Sequence, residues 1–128
     1  MTPDDHARAA ADLLEAEKTR RQIGLLTLRH PEMTMDDAYK VQNAIYRAKL
    51  ATKQRVIGWK IGLTSKAMQS ALNIDIPDSG ILFDDMLFEN GATVPKDRFI
   101  QPRVEAEIAF VMKSAVGGVD VTRNDVIA

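Results

Sequence analysis

Cysteine is absent from this chain. That excludes disulfides, thiolate nucleophiles and cysteine-ligated zinc or iron–sulfur centres, and it fits a reducing, cytoplasmic setting. Histidine occurs only twice, as His6 and His30. Both read as surface residues, and neither lies beside a candidate nucleophile, so no Ser-His-Asp arrangement is legible. Aromatic residues make up only 5% of the chain and do not alternate with basic ones, which argues against a base-stacking surface. The 17 basic and 18 acidic residues nearly cancel, so no charge excess points to nucleic acid or an anionic membrane. No apolar run approaches the ~20 residues that span a bilayer. The start, Met1-Thr2-Pro3-Asp4-Asp5, is acidic and lacks an apolar core, so no signal peptide is expected. A Gly-x-Gly-x-x-Gly fingerprint and a P-loop are also missing.

What is present suits one soluble domain. The 128 residues allow a real core, and the 45% hydrophobic and 27% charged content is ordinary for a globular protein. Thr2-Pro3-Asp4-Asp5 opens a helix, with a capping hydroxyl, proline in the first turn and acids near the positive end of the dipole. Its Ala- and Leu-rich pattern predicts helix to about Leu28, with Gly24 as a possible break. Thr34 and Asp37 form a capping box before a second helix to about Leu50, on whose apolar stripe Met35, Val41 and Ile45 recur. The period then changes. Arg55–Leu63 reads as a strand with two glycines, Thr64 or Ser65 caps a short helix to Leu72, and Ile76–Gly80 reads as a turn. A second strand or extended segment is expected over Ile81–Phe88, and a third strand over Phe99–Met112. Thr122–Asp125 has the form of another helix start, three residues before the last one given. A helix that short is not stable alone, so either that end frays or the chain is part of something longer.

The third expected strand carries Glu105-Ala106-Glu107. Residues two apart share a strand face, so the two carboxylates lie together, with Ala109 and Val111 following them. Two readings stay open. They are exposed acids on an edge strand, or they are ligands of an oxygen-preferring divalent cation that offsets their repulsion. Lys60, in Gly58-Trp59-Lys60-Ile61-Gly62, is either a snorkelling lysine or an ammonium that binds a substrate carboxylate or assists proton transfer. Asp78, in Ile76-Pro77-Asp78-Ser79-Gly80, is either a turn residue bonding its own backbone or a proton carrier. Met33, Met35, Met68 and Met86 read as core fillers.

Three segments together carry a family resemblance: Gly58-Trp59-Lys60-Ile61-Gly62-Leu63-Thr64-Ser65, Pro77-Asp78-Ser79-Gly80-Ile81-Leu82, and Pro102-Arg103-Val104-Glu105-Ala106-Glu107-Ile108-Ala109-Phe110. In order, spacing and identity, from about Gln22 onward, the chain resembles the hydratase/decarboxylase branch of the fumarylacetoacetate hydrolase superfamily. The resemblance implies an α+β fold, with N-terminal helices in residues 1–54 and the first part of a mixed, curved β-sheet in residues 55–128. It implies Lys60 and Asp78 as catalytic residues, and Lys60, Ser79 and Leu82 as substrate-binding ones. It implies Mg²⁺ or Mn²⁺ on Glu105 and Glu107, with a third carboxylate outside this chain. The implied reaction adds water to a 2-hydroxy-2,4-dienoate, such as the tautomer of 2-oxo-hept-3-ene-1,7-dioate, during degradation of aromatic compounds. The implied partners are that small acid and further copies of the chain, in a cytoplasmic homo-oligomer without nucleic acid or membrane. Two alternatives accompany it: decarboxylation of a 4-oxalocrotonate-type acid, and an inactive partial domain that needs a partner chain. A superfamily hydrolase cleaving a carbon–carbon bond is weaker, since no histidine lies in the motif region to activate water.

Overall fold

The structure is a computed structural model that describes residues Met1 to Ile127. Helix α1 spans Pro3–Thr19 and helix α3 spans Met35–Ala51, with a single turn of helix, α2, at Leu26–Arg29 between them. Both long helices begin as the sequence predicts. The Thr2 hydroxyl accepts from the Asp5 amide, and the Asp5 carboxylate accepts from the Thr2 amide. Thr34 and Asp37 repeat the arrangement. Each such cap contributes about 1 kcal/mol. The first helix is shorter than expected. It stops at Thr19, where Arg20 turns left-handed at φ 57°, rather than running to Leu28. The run Glu17-Lys18-Thr19-Arg20-Arg21-Gln22 offers no apolar stripe to bury, and Gly24 disfavours helix beyond it.

α1 and α3 lie side by side, pointing the same way. His6 meets Asp37 near their starts, and Glu17 meets Lys49 near their ends. Ala9, Ala10 and Val41 are buried where they touch, and Leu13, Met33, Ala44 and Ile45 pack around them. Alanine at the contact lets the two backbones approach closely. His6 is therefore not a surface residue: it is buried, with Nε2 2.7 Å from Asp37 Oδ1. Asp37 holds its carboxyl well below the usual carboxylate range. The Thr34 amide is the main cause, followed by His6 and the Thr34 hydroxyl. Of the methionines read as core fillers, Met33 packs on the core, while Met35, Met68 and Met86 are exposed, the first two because they lie off the buried helix faces.

Strand β1, Val56–Gly62, and strand β2, Asp78–Phe83, form an antiparallel ribbon. Its register pairs Gly58 with Leu82, Lys60 with Gly80 and Gly62 with Asp78, and it is irregular near Ile57. Helix α4, Lys66–Leu72, lies between the strands in sequence. Helix α5, Arg123–Ile127, starts at the expected Thr122 cap. Among the described residues the sheet is this two-stranded ribbon, and the strand expected over Phe99–Met112 is not formed. A strand needs a partner for its amides and carbonyls, and no described segment provides one there. Val104, Ile108 and Val111 are accordingly almost fully exposed instead of covering an apolar face. None of the described helices is long and apolar enough to cross a membrane.

The packing of α1 on α3 makes two expectations. Val41→Ala removes two buried methyl groups and is expected to lower unfolding stability by roughly 2 kcal/mol in a denaturant titration. Asp37 has a carboxyl pKa depressed in the folded state, so its stabilisation is present above the ordinary carboxylate range and is lost as pH falls through and below it. The unfolding stability of Asp37→Asn, read by circular dichroism in denaturant titrations at a series of pH values, is expected to fall less than the parent's as pH drops through and below the ordinary carboxylate range.

Candidate active site

One face of the ribbon carries the residues singled out above. Cross-strand partners share a face, and so do residues two apart along a strand. Lys60, Asp78 and Leu82 thus lie on the same face, with Gly58, Gly62 and Gly80 between them. Every pair in this row joins one glycine to one larger side chain. The Lys60 stem lies over Gly80: a Cβ added there would stand 3.3 Å from Lys60 Cγ. The Asp78 carboxylate lies against Gly62 so closely that an added Cβ would collide with it. Asp78 is the first residue of β2 rather than a turn residue, because Gly62 opposite leaves its side chain room.

Glu105 and Glu107 come to this face from a segment outside regular secondary structure. The Lys60 Nζ lies 4.0 Å from Glu105 Oε2 and 4.0 Å from Glu107 Oε1. One ammonium therefore stands between both carboxylates. The Lys60 side chain is about half exposed (47%), since the ribbon has only two strands among the described residues. No group of three or more acidic, histidine or cysteine side chains able to hold a metal occurs among the described residues.

Ser79 falls on the opposite face, by strand alternation. Its backbone is what the fold uses: the amide donates to the Tyr39 hydroxyl (3.3 Å), and the carbonyl accepts from Gln42 Nε2 (2.9 Å). Tyr39 and Gln42 are three apart on α3, so one helix face covers part of the free edge of β2. Two such bonds contribute about 1 kcal/mol each. Lys49 adds a further tie, its ammonium bonding Glu17 at 2.6 Å and standing 5.3 Å from the centre of the buried Phe83 ring.

Both ends of β1 are pinned. Asp84 accepts from the Arg55 amide and from Arg55 Nε, and these contacts hold its carboxyl below the usual range, the amide being the larger cause. At the other end Leu63 adopts φ 55°, a strained conformation for leucine. The buried Gln69 meets its carbonyl at 2.6 Å, and Lys66 donates to Gln69 Oε1. The sequence reading missed Tyr39, Gln42, Lys49 and Gln69. Their signal was polar residues within or beside apolar helical stripes. A separate apolar groove of about 770 Å³, lined in part by Leu13, Ile23, Leu25 and Phe99, includes none of Lys60, Asp78, Glu105 or Glu107.

The chain is 48% identical over 121 residues to the 2-oxo-hept-4-ene-1,7-dioate hydratase of Escherichia coli, a match covering 94% of this chain and 45% of that protein. It is also 48% identical over 118 residues to the 2-hydroxyhexa-2,4-dienoate hydratase of Comamonas testosteroni, covering 91% and 45%. The chain is a homologue of these hydratases. It spans about half the length of the curated relatives it matches. No protein-family model matches it. Among solved structures, 4-oxalocrotonate decarboxylase from Pseudomonas putida G7, complexed with calcium and acetate, matches with a TM-score of 0.64 and 36% sequence identity. That likeness covers 66% of this chain and 33% of the decarboxylase. The resemblance drawn from the three motifs thus agrees with sequence homology and with fold.

The glycine row of the hydratase homologue is open to a direct test. Gly62→Ala is expected to keep the helical signal but displace the Asp78 carboxylate, shifting its carboxyl resonance and the amides around Lys60 and Gly80. Gly24→Ala, where an added Cβ meets nothing within 4 Å, is expected to leave those resonances in place. Equal spectra for the two variants would contradict the packing described.

Proposed function

We propose that this chain carries part of the active site of a hydratase acting on 2-hydroxy-2,4-dienoates during degradation of aromatic compounds. The substrate class includes the dienol shared by 2-oxo-hept-3-ene- and 2-oxo-hept-4-ene-1,7-dioate, which are tautomers of one another. The observation that carries this reading is the convergence of Glu105 and Glu107 on Lys60, beside Asp78, in a chain 48% identical to such a hydratase over nearly all its length. The finer fold reading belongs with it. Residues 1–54 form a helical region, and residues 55–128 begin a catalytic region whose complete sheet is mixed and curved. The exposed Val104, Ile108 and Val111 favour assembly with further copies of the chain, which would cover them.

Glu105 and Glu107 fit a hard divalent cation. Both offer carboxylate oxygens, and both already face one positive centre. Mg²⁺ or Mn²⁺ held by them, with a third ligand from outside this chain, would supply Lewis-acid stabilisation of negative charge on the substrate's C2 oxygen. The decarboxylase structures complexed with calcium and with magnesium support a divalent ion in this fold.

The chain's own residues then divide the work. Lys60 binds the C1 carboxylate, or stabilises charge at the neighbouring oxygen, from a ribbon that fixes its stem over Gly80. Asp78, two residue pairs along the same face, moves the proton from the C2 hydroxyl toward C5, leaving an α,β-unsaturated ketone. Hydroxide from water then joins C4, and its proton goes to C3. Leu82 offers an apolar wall on the same face, opposite Gly58. Ser79, on the other face, serves the site by tying β2 to α3 through Tyr39 and Gln42 rather than by touching substrate.

The likeness to 4-oxalocrotonate decarboxylase favours one second reading. Loss of CO₂ from such an acid develops the same charge at C2, so Lys60 serves either reaction. Incubating this chain joined to the segment that supplies the third ligand, together with Mg²⁺ and 2-hydroxypenta-2,4-dienoate, is expected to bleach the dienol absorbance and form a 4-hydroxy-2-oxo acid. Lys60→Ala and Asp78→Asn are each expected to lower kcat/KM by at least about 100-fold. Failure of the dienoate to react, or full activity in both variants, would contradict the proposal. Release of CO₂ from 4-oxalocrotonate would assign the decarboxylase reading.

A further inference from the structure

The ion pairs at Lys60 have a consequence for cation binding, one that rests on Glu105 and Glu107 being the cation's ligands. Among the described residues, each of these carboxylates forms one ion pair, and in both cases the partner is Lys60. The two acids lie on a segment with no hydrogen-bonded ladder to hold it, and they repel each other. Lys60 is differently placed. Its strand is paired on one side and its stem rests over Gly80, so the ladder sets where the stem starts, and from there the ammonium reaches both acids.

We propose that Lys60 is a built-in stand-in cation. Its ammonium holds Glu105 and Glu107 together until a divalent ion enters, and the entering ion expels it toward the anionic substrate. Ammonium and divalent ion compete for the same two carboxylates and repel each other across a few ångströms. Lys60 therefore weakens cation binding, and cation binding releases Lys60. The site is thus self-neutralised when empty, and the lysine becomes available to an organic anion once the ion has arrived. Because coupling is reciprocal, the effect on the cation measures the effect on Lys60.

Titration of the 128-residue chain with Mn²⁺, reading the free ion by electron paramagnetic resonance, tests this without any turnover. Lys60→Met is expected to bind Mn²⁺ roughly three- to tenfold more tightly than the parent at low salt, with the gain shrinking as salt screens the charges. Lys60→Arg, which keeps the charge, is expected to stay within about twofold of the parent, on the same electrostatic grounds. Glu105→Gln is expected to lose most of the affinity. If Lys60→Met binds no more tightly while Glu105→Gln loses binding, the stand-in proposal is wrong and the ligand assignment stands. If Glu105→Gln binds like the parent, the ligand assignment falls, and this proposal with it. A second measurement needs no variant: in the parent chain the Lys60 ε-methylene resonance is expected to move on addition of Mg²⁺. A resonance that stays fixed through saturation would overturn the proposal even if Lys60→Met failed to fold.

Discussion

The Lys60 ammonium stands between two carboxylates that lie two residues apart on one segment. It is 4.0 Å from each of them, and the segment has no strand partner among the described residues. That position depends on a chain of smaller facts. Gly80 gives the lysine stem a place to lie, Gly62 gives Asp78 the same, and the register of β1 on β2 puts both on one face. A shift of one residue in that register would send Lys60 and Asp78 to opposite faces and undo the site.

The helices matter because a two-stranded ribbon is marginal by itself. α3 holds β2 through Tyr39 and Gln42, which reach the amide and carbonyl of Ser79, and through Lys49 over Phe83. α3 is in turn held against α1 by the Ala9–Ala10–Val41 contact and by two polar ties, His6 to Asp37 and Glu17 to Lys49. Asp37 caps one helix while bonding the other, so the start of α3 and its docking are one event. The order of dependence runs from helix pair to ribbon to site.

Much of this was legible in the sequence where the signal is local. The Thr34–Asp37 and Thr122–Asp125 capping boxes, the period change at Arg55 and the glycines around Lys60 were all read correctly, because each is set by neighbours within a few residues. Local reasoning failed where a distant partner decides. His6 looked exposed until Asp37, 31 residues away, was placed beside it. The alternating run from Val104 to Met112 has strand pattern, but pattern alone does not pair a backbone. Glu105 and Glu107 were proposed as a pair from their spacing, yet only the tertiary structure shows that Lys60 reaches both.

We propose that Lys60, Asp78, Glu105 and Glu107 form one cation-centred site on the glycine face of the ribbon. Paramagnetic broadening of backbone amides by substoichiometric Mn²⁺ tests it most directly, since the effect falls steeply with distance from the ion. The amides of Lys60, Gly62, Gly80 and Glu105–Glu107 are expected to broaden first, while those of Ala9, Ala10 and Gly24 stay sharp. Broadening centred instead on Asp84 and Asp85, or spread evenly over the acidic surface, would contradict it.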